Sequence, residues 1–190
     1  TKFSELDRKI VKNTKNKKIF VINLTTNDKH KLEDKKQKLL KHFKKVGYKE
    51  IKFASDSVNI ADELKNSDVL FISGGDTEIL LKNIKEKNLV PLIKSFKFII
   101  EGNSAGAYAC CKGYVKINGD KLRVISALGL LDFYCKAHYT SEFDSFLLEL
   151  SAHKKIYGIP EGSVIIHKNN GLNFIGDVYL FSNKQKSKIN

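Results

Sequence analysis

The sequence predicts an α/β fold in which helices cover both faces of a mostly parallel sheet. Two observations support this prediction: short apolar runs of strand length alternate with stretches of helical periodicity, and polar or glycine-rich turns follow the runs. The chain has 190 residues, 42% of them hydrophobic, which is enough for one buried core. We therefore expect a single domain over residues 1–190, with a helix-like lead-in over 1–16 and a frayed polar tail over 182–190.

The first half of the chain supplies most of this alternation. Residues 18–24 predict a strand, and an amphipathic helix over about 31–46 follows, ended by Gly47. The other expected elements are strands over 48–53, 68–73 and 98–101, and helices over 60–66, from 78 and over 91–96. In open parallel sheets, ligand sites form at the carboxyl ends of strands. Gly74-Gly75 and Ser104 both follow such ends.

The last third of the chain has a different pattern from the first half. Residues 164–167 and 172–175 predict a β-hairpin around an Asn170-Gly171 turn, since Asn-Gly favours tight hairpin turns. Residues 177–181 predict a closing strand. The α/β region is therefore expected to end in a C-terminal β-hairpin and one further strand.

The composition disfavours several classes of function. The net charge is +13, but it comes almost entirely from lysine, with Arg8 and Arg123 the only arginines. Base-specific and bidentate phosphate contacts favour arginine, so nucleic-acid recognition is disfavoured, and general attraction to polyanions is left as an alternative. The three cysteines give neither a disulfide framework nor metal-ligand spacing, and no stretch suits a membrane span or signal peptide. We expect a cytoplasmic protein without metal or membrane association.

The most informative motif is Gly102-Asn103-Ser104-Ala105-Gly106, a G-x-S-x-G pattern between an apolar run and a helix-like stretch. A serine on a sharp strand-to-helix turn projects its hydroxyl clear of the sheet. Glycines flank such a serine because side chains there would crowd the turn or the helix packing. Ser104 is therefore a candidate nucleophile. The alternative is a glycine-rich turn with an incidental serine.

A serine nucleophile needs a base and a group that orients the base. Among the five histidines, His138 follows an expected strand end and is modestly favoured over His153. Glu161 lies in a Pro160-Glu161-Gly162 corner after a short apolar run, where the backbone is constrained. Other candidates for the orienting carboxylate are Asp120, Asp132 and Asp144. Spacing alone leaves this choice open.

Four blocks of the chain together resemble the peptidase E family of serine peptidases, which includes aspartyl dipeptidase and cyanophycinase. They occur in the family's order within about residues 17–181, and they are Ser73-Gly74-Gly75-Asp76-Thr77, Gly102-Asn103-Ser104-Ala105-Gly106-Ala107, Ala137-His138-Tyr139-Thr140 and Ile159-Pro160-Glu161-Gly162. The resemblance implies a three-layer α/β/α sandwich, flavodoxin-like and related to class I glutamine amidotransferases. That architecture agrees with the alternation of strands and helices.

The resemblance also implies a function, namely hydrolysis of short peptides, such as dipeptides, through an acyl-enzyme and without a cofactor. It assigns Ser104 as nucleophile, His138 as general base and Glu161 as the group that orients the histidine. The implied oxyanion hole uses the backbone N–H groups of Gly75 and Ala105. The implied substrate-binding residues are Asp76, Thr77 and Tyr139.

The chain departs from the family pattern in ways that bear on activity. The family usually begins with one more strand, where this sequence has the lead-in over 1–16. No arginine occurs between His138 and Glu161, so a preference for aspartyl peptides is left open. Asp76 replaces a common asparagine, and Glu101 has no evident role beside the Ser104 motif. These departures motivate an alternative, a catalytically degenerate member that binds a small ligand or partner. The oligomeric state is not indicated.

Overall fold

The computed structural model describes residues 2–118, 121–168 and 171–189. The chain folds into two compact units, Thr1–Ala109 and Cys110–Asn190, referred to below as unit 1 and unit 2. No helix within the described ranges is both long enough and apolar enough to cross a bilayer.

Unit 1 contains the strand–helix alternation that the sequence predicts. Its elements are α1 (Lys2–Lys12), β1 (Lys18–Ile22), α2 (Lys29–Val46), β2 (Glu50–Phe53), α3 (Ile60–Lys65), β3 (Val69–Ile72), α4 (Thr77–Glu86), α5 (Val90–Ser95), β4 (Ile99–Gly102) and α6 (Ala105–Cys110). The four strands form one sheet in the order β2-β1-β3-β4, and all pairs are parallel. The α/β class with a parallel sheet is thus confirmed, and the helix-like lead-in is α1.

The core of unit 1 lies on both faces of this sheet. Strands β1 and β3 are buried along almost their whole length, as expected of central parallel strands covered by helices. On one face, strand side chains pack against α1 and α2; this cluster includes Ile19, Val21, Val69 and Phe71 together with Val11, Phe43 and Val46. The opposite register positions, Phe20, Ile22, Leu70 and Ile72, are also buried.

Helix α2 has well-defined ends, which fix the position of its side chains. Asp28 caps its first turn by accepting hydrogen bonds from the N–H groups of His30 and Lys31, at 2.9 and 3.1 Å. The helix ends at Gly47, whose φ of +113° is the left-handed conformation that glycine adopts readily. The predicted helix end at Gly47 is confirmed.

Unit 2 has a mixed sheet in the order β12-β11-β8-β7-β5-β6 and a separate hairpin. Its elements are β5 (Cys111–Asn118), β6 (Lys121–Ser126), β7 (Leu131–Ala137), a 3₁₀ turn (Ser141–Phe143), α7 (Asp144–Leu150), β8 (Ile156–Ile159), β9 (Val164–Lys168), β10 (Gly171–Ile175), β11 (Val178–Ser182) and β12 (Gln185–Ile189). Strands β5, β7 and β8 run parallel, whereas β6, β11 and β12 pair antiparallel with their neighbours.

The prediction of a C-terminal hairpin is confirmed, and the prediction of a frayed tail is wrong. Strands β9 and β10 pair antiparallel, with Leu172 opposite His167; Asn170 of the expected turn lies outside the described residues. The tail instead forms β12, which pairs with β11 so that Lys186 lies opposite Phe181. Its side chains are polar because β12 is an edge strand with solvent beside it, where charged residues are common.

Candidate active site

Ser104 lies in a strained turn between β4 and α6. Its φ is +50°, a left-handed value that non-glycine residues rarely adopt. Two backbone hydrogen bonds close the turn, from Gly106 N–H to Asn103 O at 2.8 Å and from Tyr108 N–H to Ser104 O at 3.0 Å. The serine side chain is partly exposed. The predicted strand–turn–helix context of Ser104 is therefore present.

The two flanking glycines are required by close backbone packing. A Cβ atom at Gly106 would lie 1.9 Å from the carbonyl oxygen of Ile72, and one at Gly102 would lie 2.6 Å from the carbonyl oxygen of Gly106. Both distances are far below van der Waals contact, and the opposing atoms are backbone. The steric reason that the sequence suggested for these glycines is confirmed.

The Gly74-Gly75 turn after β3 lies directly against the Ser104 turn. A Cβ atom at Gly74 would be 2.7 Å from Asn103 Oδ1 and 3.2 Å from the Cβ atom of Ser104. On its other side, Gly75 has a φ of +131°, and a Cβ there would lie 2.6 Å from Thr25 Oγ1. The loops that follow β1, β3 and β4 thus meet at the carboxyl edge of the unit 1 sheet.

Lys35 is a polar residue at this edge that sequence reasoning missed. It extends from α2 and is half-buried, and its Nζ donates to Thr25 Oγ1 at 2.6 Å and to the carbonyl oxygen of Gly74. Burial lowers the pKa of the Lys35 ammonium. One signal in the sequence was available, because Lys35 follows Leu32 by three residues and so falls near the apolar stripe of α2.

Asp76 and Thr77 begin α4. The Asp76 carboxylate accepts a hydrogen bond from Ile79 N–H at 2.9 Å and so caps the helix, a role that aspartate and asparagine fill about equally. Thr77 is the first helical residue and is partly exposed. The substitution of aspartate for the family's common asparagine therefore preserves the turn.

In unit 2 the structure brings His138 and Glu161 together. Strands β7 and β8 are parallel neighbours with Ala137 opposite Ile159, so the residues that follow them reach the same sheet edge. His138 Nδ1 hydrogen-bonds Glu161 Oε1. The side chains are 53% and 76% exposed, and His138 has a φ of +52°.

The other candidate carboxylates have different partners. Asp132 pairs with Lys112 at 2.8 Å, and Asp144 accepts from Tyr139 Oη at 2.5 Å and from Lys186 Nζ at 2.7 Å. Asp120 lies outside the described residues. Among the described candidate carboxylates, the hydrogen bond to His138 favours Glu161 as the residue to test.

The Tyr139 side chain is buried in the core of unit 2. Its side chain is 5% exposed and lies in a cluster with Leu147, Ile156 and Phe181. The ring centroid lies 5.7 Å from that of Phe181, and the hydroxyl donates to Asp144. This burial favours a core role for Tyr139 over contact with a substrate.

Glu101 is explained by a buried acidic contact with α1. Its carboxyl lies against Asp7, and the pKa of Glu101 is raised well above its usual range by burial, by the charge of Asp7 and by a hydrogen bond with it. Asp7 is itself buried and contacts His42 Nε2 at 2.5 Å. Burial beside Asp7 therefore favours the protonated form of Glu101, and the contact joins β4 to α1.

The cysteines are buried free thiols. Burial raises the pKa of Cys110 to about 12, and a hydrogen bond between Cys111 Sγ and Cys135 Sγ, 3.2 Å apart, together with burial raises the pKa of Cys111. Such thiols stay protonated at neutral pH and are poor nucleophiles. In the part of the chain that the structure describes, no three His, Cys, Asp or Glu side chains are grouped to hold a metal ion.

Comparison with solved structures supports the fold. A peptidase from an acI-B1 actinobacterium superposes with a TM-score of 0.77 at 17% identity, covering 98% of this chain and 88% of that one. A candidate peptidase E protein from Listeria monocytogenes EGD-e superposes with a TM-score of 0.65 at 21% identity, covering 90% and 92%. At these identities the similarity establishes the fold alone.

Sequence comparison identifies the family. An uncharacterized peptidase of Pasteurella multocida (strain Pm70) is 34% identical over 93 residues, a match that spans 43% of this chain and 44% of that protein. The family model of peptidase family S51 matches residues 1–175. This match confirms the resemblance to peptidase E. The chain is a member of peptidase family S51.

Proposed function

We propose that this protein is a serine peptidase that hydrolyses short peptides through an acyl-enzyme, with Ser104, His138 and Glu161 as its catalytic residues. The observation that carries the proposal is the hydrogen bond between His138 Nδ1 and Glu161 Oε1. It pairs a histidine with an orienting carboxylate, and both residues follow the ends of parallel strands. Membership of family S51 and the left-handed turn at Ser104 support the same chemistry.

The pairing defines the role of each nitrogen of His138. With Nδ1 protonated and donating to Glu161, the Nε2 lone pair accepts the proton of Ser104 Oγ as that oxygen bonds to the substrate carbonyl carbon. His138 then delivers this proton to the amine of the departing product, and the acyl group stays on Ser104. Water deprotonated by the same Nε2 cleaves the ester and releases the second product. The Glu161 carboxylate orients the ring and stabilises the imidazolium in both steps.

The backbone N–H groups of Gly75 and Ala105 are proposed to bind the oxyanion. Gly75 lies in an exposed turn without a side chain, so a substrate carbonyl can approach its N–H closely. Ala105 is the first residue of α6, where helix geometry leaves N–H groups unused by the helix itself. Losing one such donor typically costs ~3 kcal/mol of transition-state stabilisation.

Dipeptides are the substrates to test first, with the side-chain preference undecided. The stretch between His138 and Glu161 contains Lys154 and Lys155 as its basic residues. A lysine attracts a carboxylate as a point charge but lacks the bidentate geometry of arginine. We therefore propose at most a weak preference for acidic side chains. The buried free thiols fit a cytoplasmic location, where thiols stay reduced.

A fluorophosphonate probe tests this proposal directly. The full-length native protein is expected to be labelled at Ser104, and Ser104→Ala is expected to stay unlabelled while remaining folded by circular dichroism. The same pair is then assayed on a dipeptide library, where wild type alone should show turnover. Folded wild-type protein that neither labels nor cleaves any dipeptide would contradict the peptidase proposal and favour a binding protein.

A further inference from the structure

We propose that Lys35 is a positioning residue that holds the Gly74–Gly75 peptide so that its N–H serves the reaction as an oxyanion donor. This inference rests on the proposed function, because the N–H of Gly75 meets an oxyanion only if Ser104 attacks a substrate carbonyl. The observation behind it is the contact of Lys35 Nζ with the carbonyl oxygen of Gly74. That oxygen and the N–H of Gly75 belong to one peptide group.

The planar peptide group fixes the direction of the Gly75 N–H relative to the Gly74 C=O. The described residues contain no cis peptide bond, so the C=O of Gly74 and the N–H of Gly75 point in opposite directions. The ammonium of Lys35 fixes the carbonyl toward α2. The N–H of Gly75 is consequently directed away from α2, and it cannot turn without breaking a charge-assisted hydrogen bond.

The turn needs such a restraint because two consecutive glycines are conformationally free. Gly75 is exposed, has a φ of +131° and carries no side chain of its own to anchor the turn, so contacts from Thr25 and Lys35 restrain this peptide. Catalytic donors contribute most when they are oriented before the charge develops. A cation on the carbonyl also polarises the amide, which strengthens its N–H as a donor.

The environment of Lys35 differs from that of a solvated lysine. Its Nζ is half-buried, and Thr25 Oγ1, an atom of a buried residue, accepts a second hydrogen bond at 2.6 Å. A Cβ atom at Gly75 would lie 2.7 Å from Lys35 Nζ, so the turn and the ammonium are packed against each other. By contrast, Lys38 on the same helix is exposed, which makes it a matched control.

The test compares Lys35→Met, Lys35→Arg and Lys38→Met with wild type. The second-order rate of fluorophosphonate labelling at Ser104 should fall about tenfold in Lys35→Met, less than the roughly 10²–10³-fold loss of a whole donor. The kcat on the best dipeptide should fall similarly with KM little changed, since the donor acts mainly in the transition state. Lys38→Met should match wild type, and Lys35→Arg should recover most of the rate.

A second readout is independent of activity. The ¹H–¹⁵N heteronuclear NOE of Gly75 is expected to equal that of β3 residues in wild type and to drop in Lys35→Met. If Lys35→Met does not fold, a mobile Gly75 amide in wild type would by itself overturn the proposal. Wild-type labelling rates and an unchanged NOE in folded Lys35→Met would overturn it as well.

The outcomes separate this inference from the proposed function. Folded wild-type protein that remains unlabelled would contradict the peptidase function and, with it, the catalytic purpose of Lys35. Labelled wild type together with an unaffected Lys35→Met would contradict the role of Lys35 alone, and Ser104 would keep its assignment.

Discussion

The two units hold their candidate catalytic groups by different physical means. In unit 1, Ser104 is placed by backbone packing, with Gly106 so close to Ile72 that no side chain fits between them. In unit 2, His138 and Glu161 are exposed side chains joined by one hydrogen bond at neighbouring strand ends. The first arrangement is inseparable from the fold, whereas the second depends on strand register and can be altered without disturbing the core.

The largest effect should come from breaking the unit 2 pair. His138→Ala is expected to lower kcat/KM by about 10⁴-fold or more, because the proposed mechanism uses His138 as the base for Ser104. The free energy of unfolding should change by less than about 0.5 kcal/mol, since the side chain is 53% exposed. Dipeptide kinetics and urea unfolding measure the two quantities. Activity near wild type would show that His138 is not the base.

In unit 1, a substitution at the Ser104 turn should instead lower the free energy of unfolding. Gly106→Ala is expected to lower the free energy of unfolding by about 3 kcal/mol or more, because its Cβ would clash with the carbonyl of Ile72 at 1.9 Å. Gly171→Ala is a suitable control, since among the described residues its Cβ would meet Lys168 O first, at 3.7 Å. Urea unfolding that places both variants within about 0.5 kcal/mol of wild type would contradict the packing described for the Ser104 turn.

The Asp7–Glu101 contact in unit 1 can be tested through a smaller expected change, in the dependence of stability on pH. The pKa of Glu101 is raised in the folded protein, so its contribution to stability is complete below pH about 4.5 and declines as pH rises toward the folded pKa. Glu101→Gln keeps a neutral hydrogen-bonding group and removes this decline. It should therefore be more stable than wild type at pH 7 and equal to it at pH 4.

Thermal or urea unfolding across this pH range measures the difference. A constant gap between Glu101→Gln and wild type at every pH would contradict the buried proton. Because Glu101 is assigned to packing, labelling of Ser104 should be unaffected at pH values where both proteins are folded.

Sequence reasoning was most successful where local patterns determine structure. The apolar runs of β1 and β3, the helix end at Gly47 and the glycines around Ser104 follow from local sterics and burial, so unit 1 was largely predictable. Strand ends before His138 and Glu161 were also expected, and the structure shows that these two strands are parallel neighbours. Glu161 still needed the structure, because distance along the chain does not reveal which carboxylate contacts a histidine.

What sequence reasoning missed depends on contacts between distant segments. Strand β12 is polar, so it lacks the alternation of apolar and polar residues that would predict its pairing with β11. Lys35 looks like its neighbours in a lysine-rich helix, and only the fold brings it to the Gly74 carbonyl. Glu101 had no evident role until the fold placed Asp7 beside it. In each case the determining partner is not visible from the local sequence.

A crystal structure of the phosphonylated protein gives the strictest test of the proposal that Ser104 and His138 act together. We expect phosphorus bonded to Ser104 Oγ and His138 Nε2 within about 3.2 Å of that oxygen or of the leaving-group position. A phosphonyl oxygen should accept hydrogen bonds from the N–H groups of Gly75 and Ala105. An adduct on another residue, or His138 more than about 5 Å from the modified serine, would contradict it.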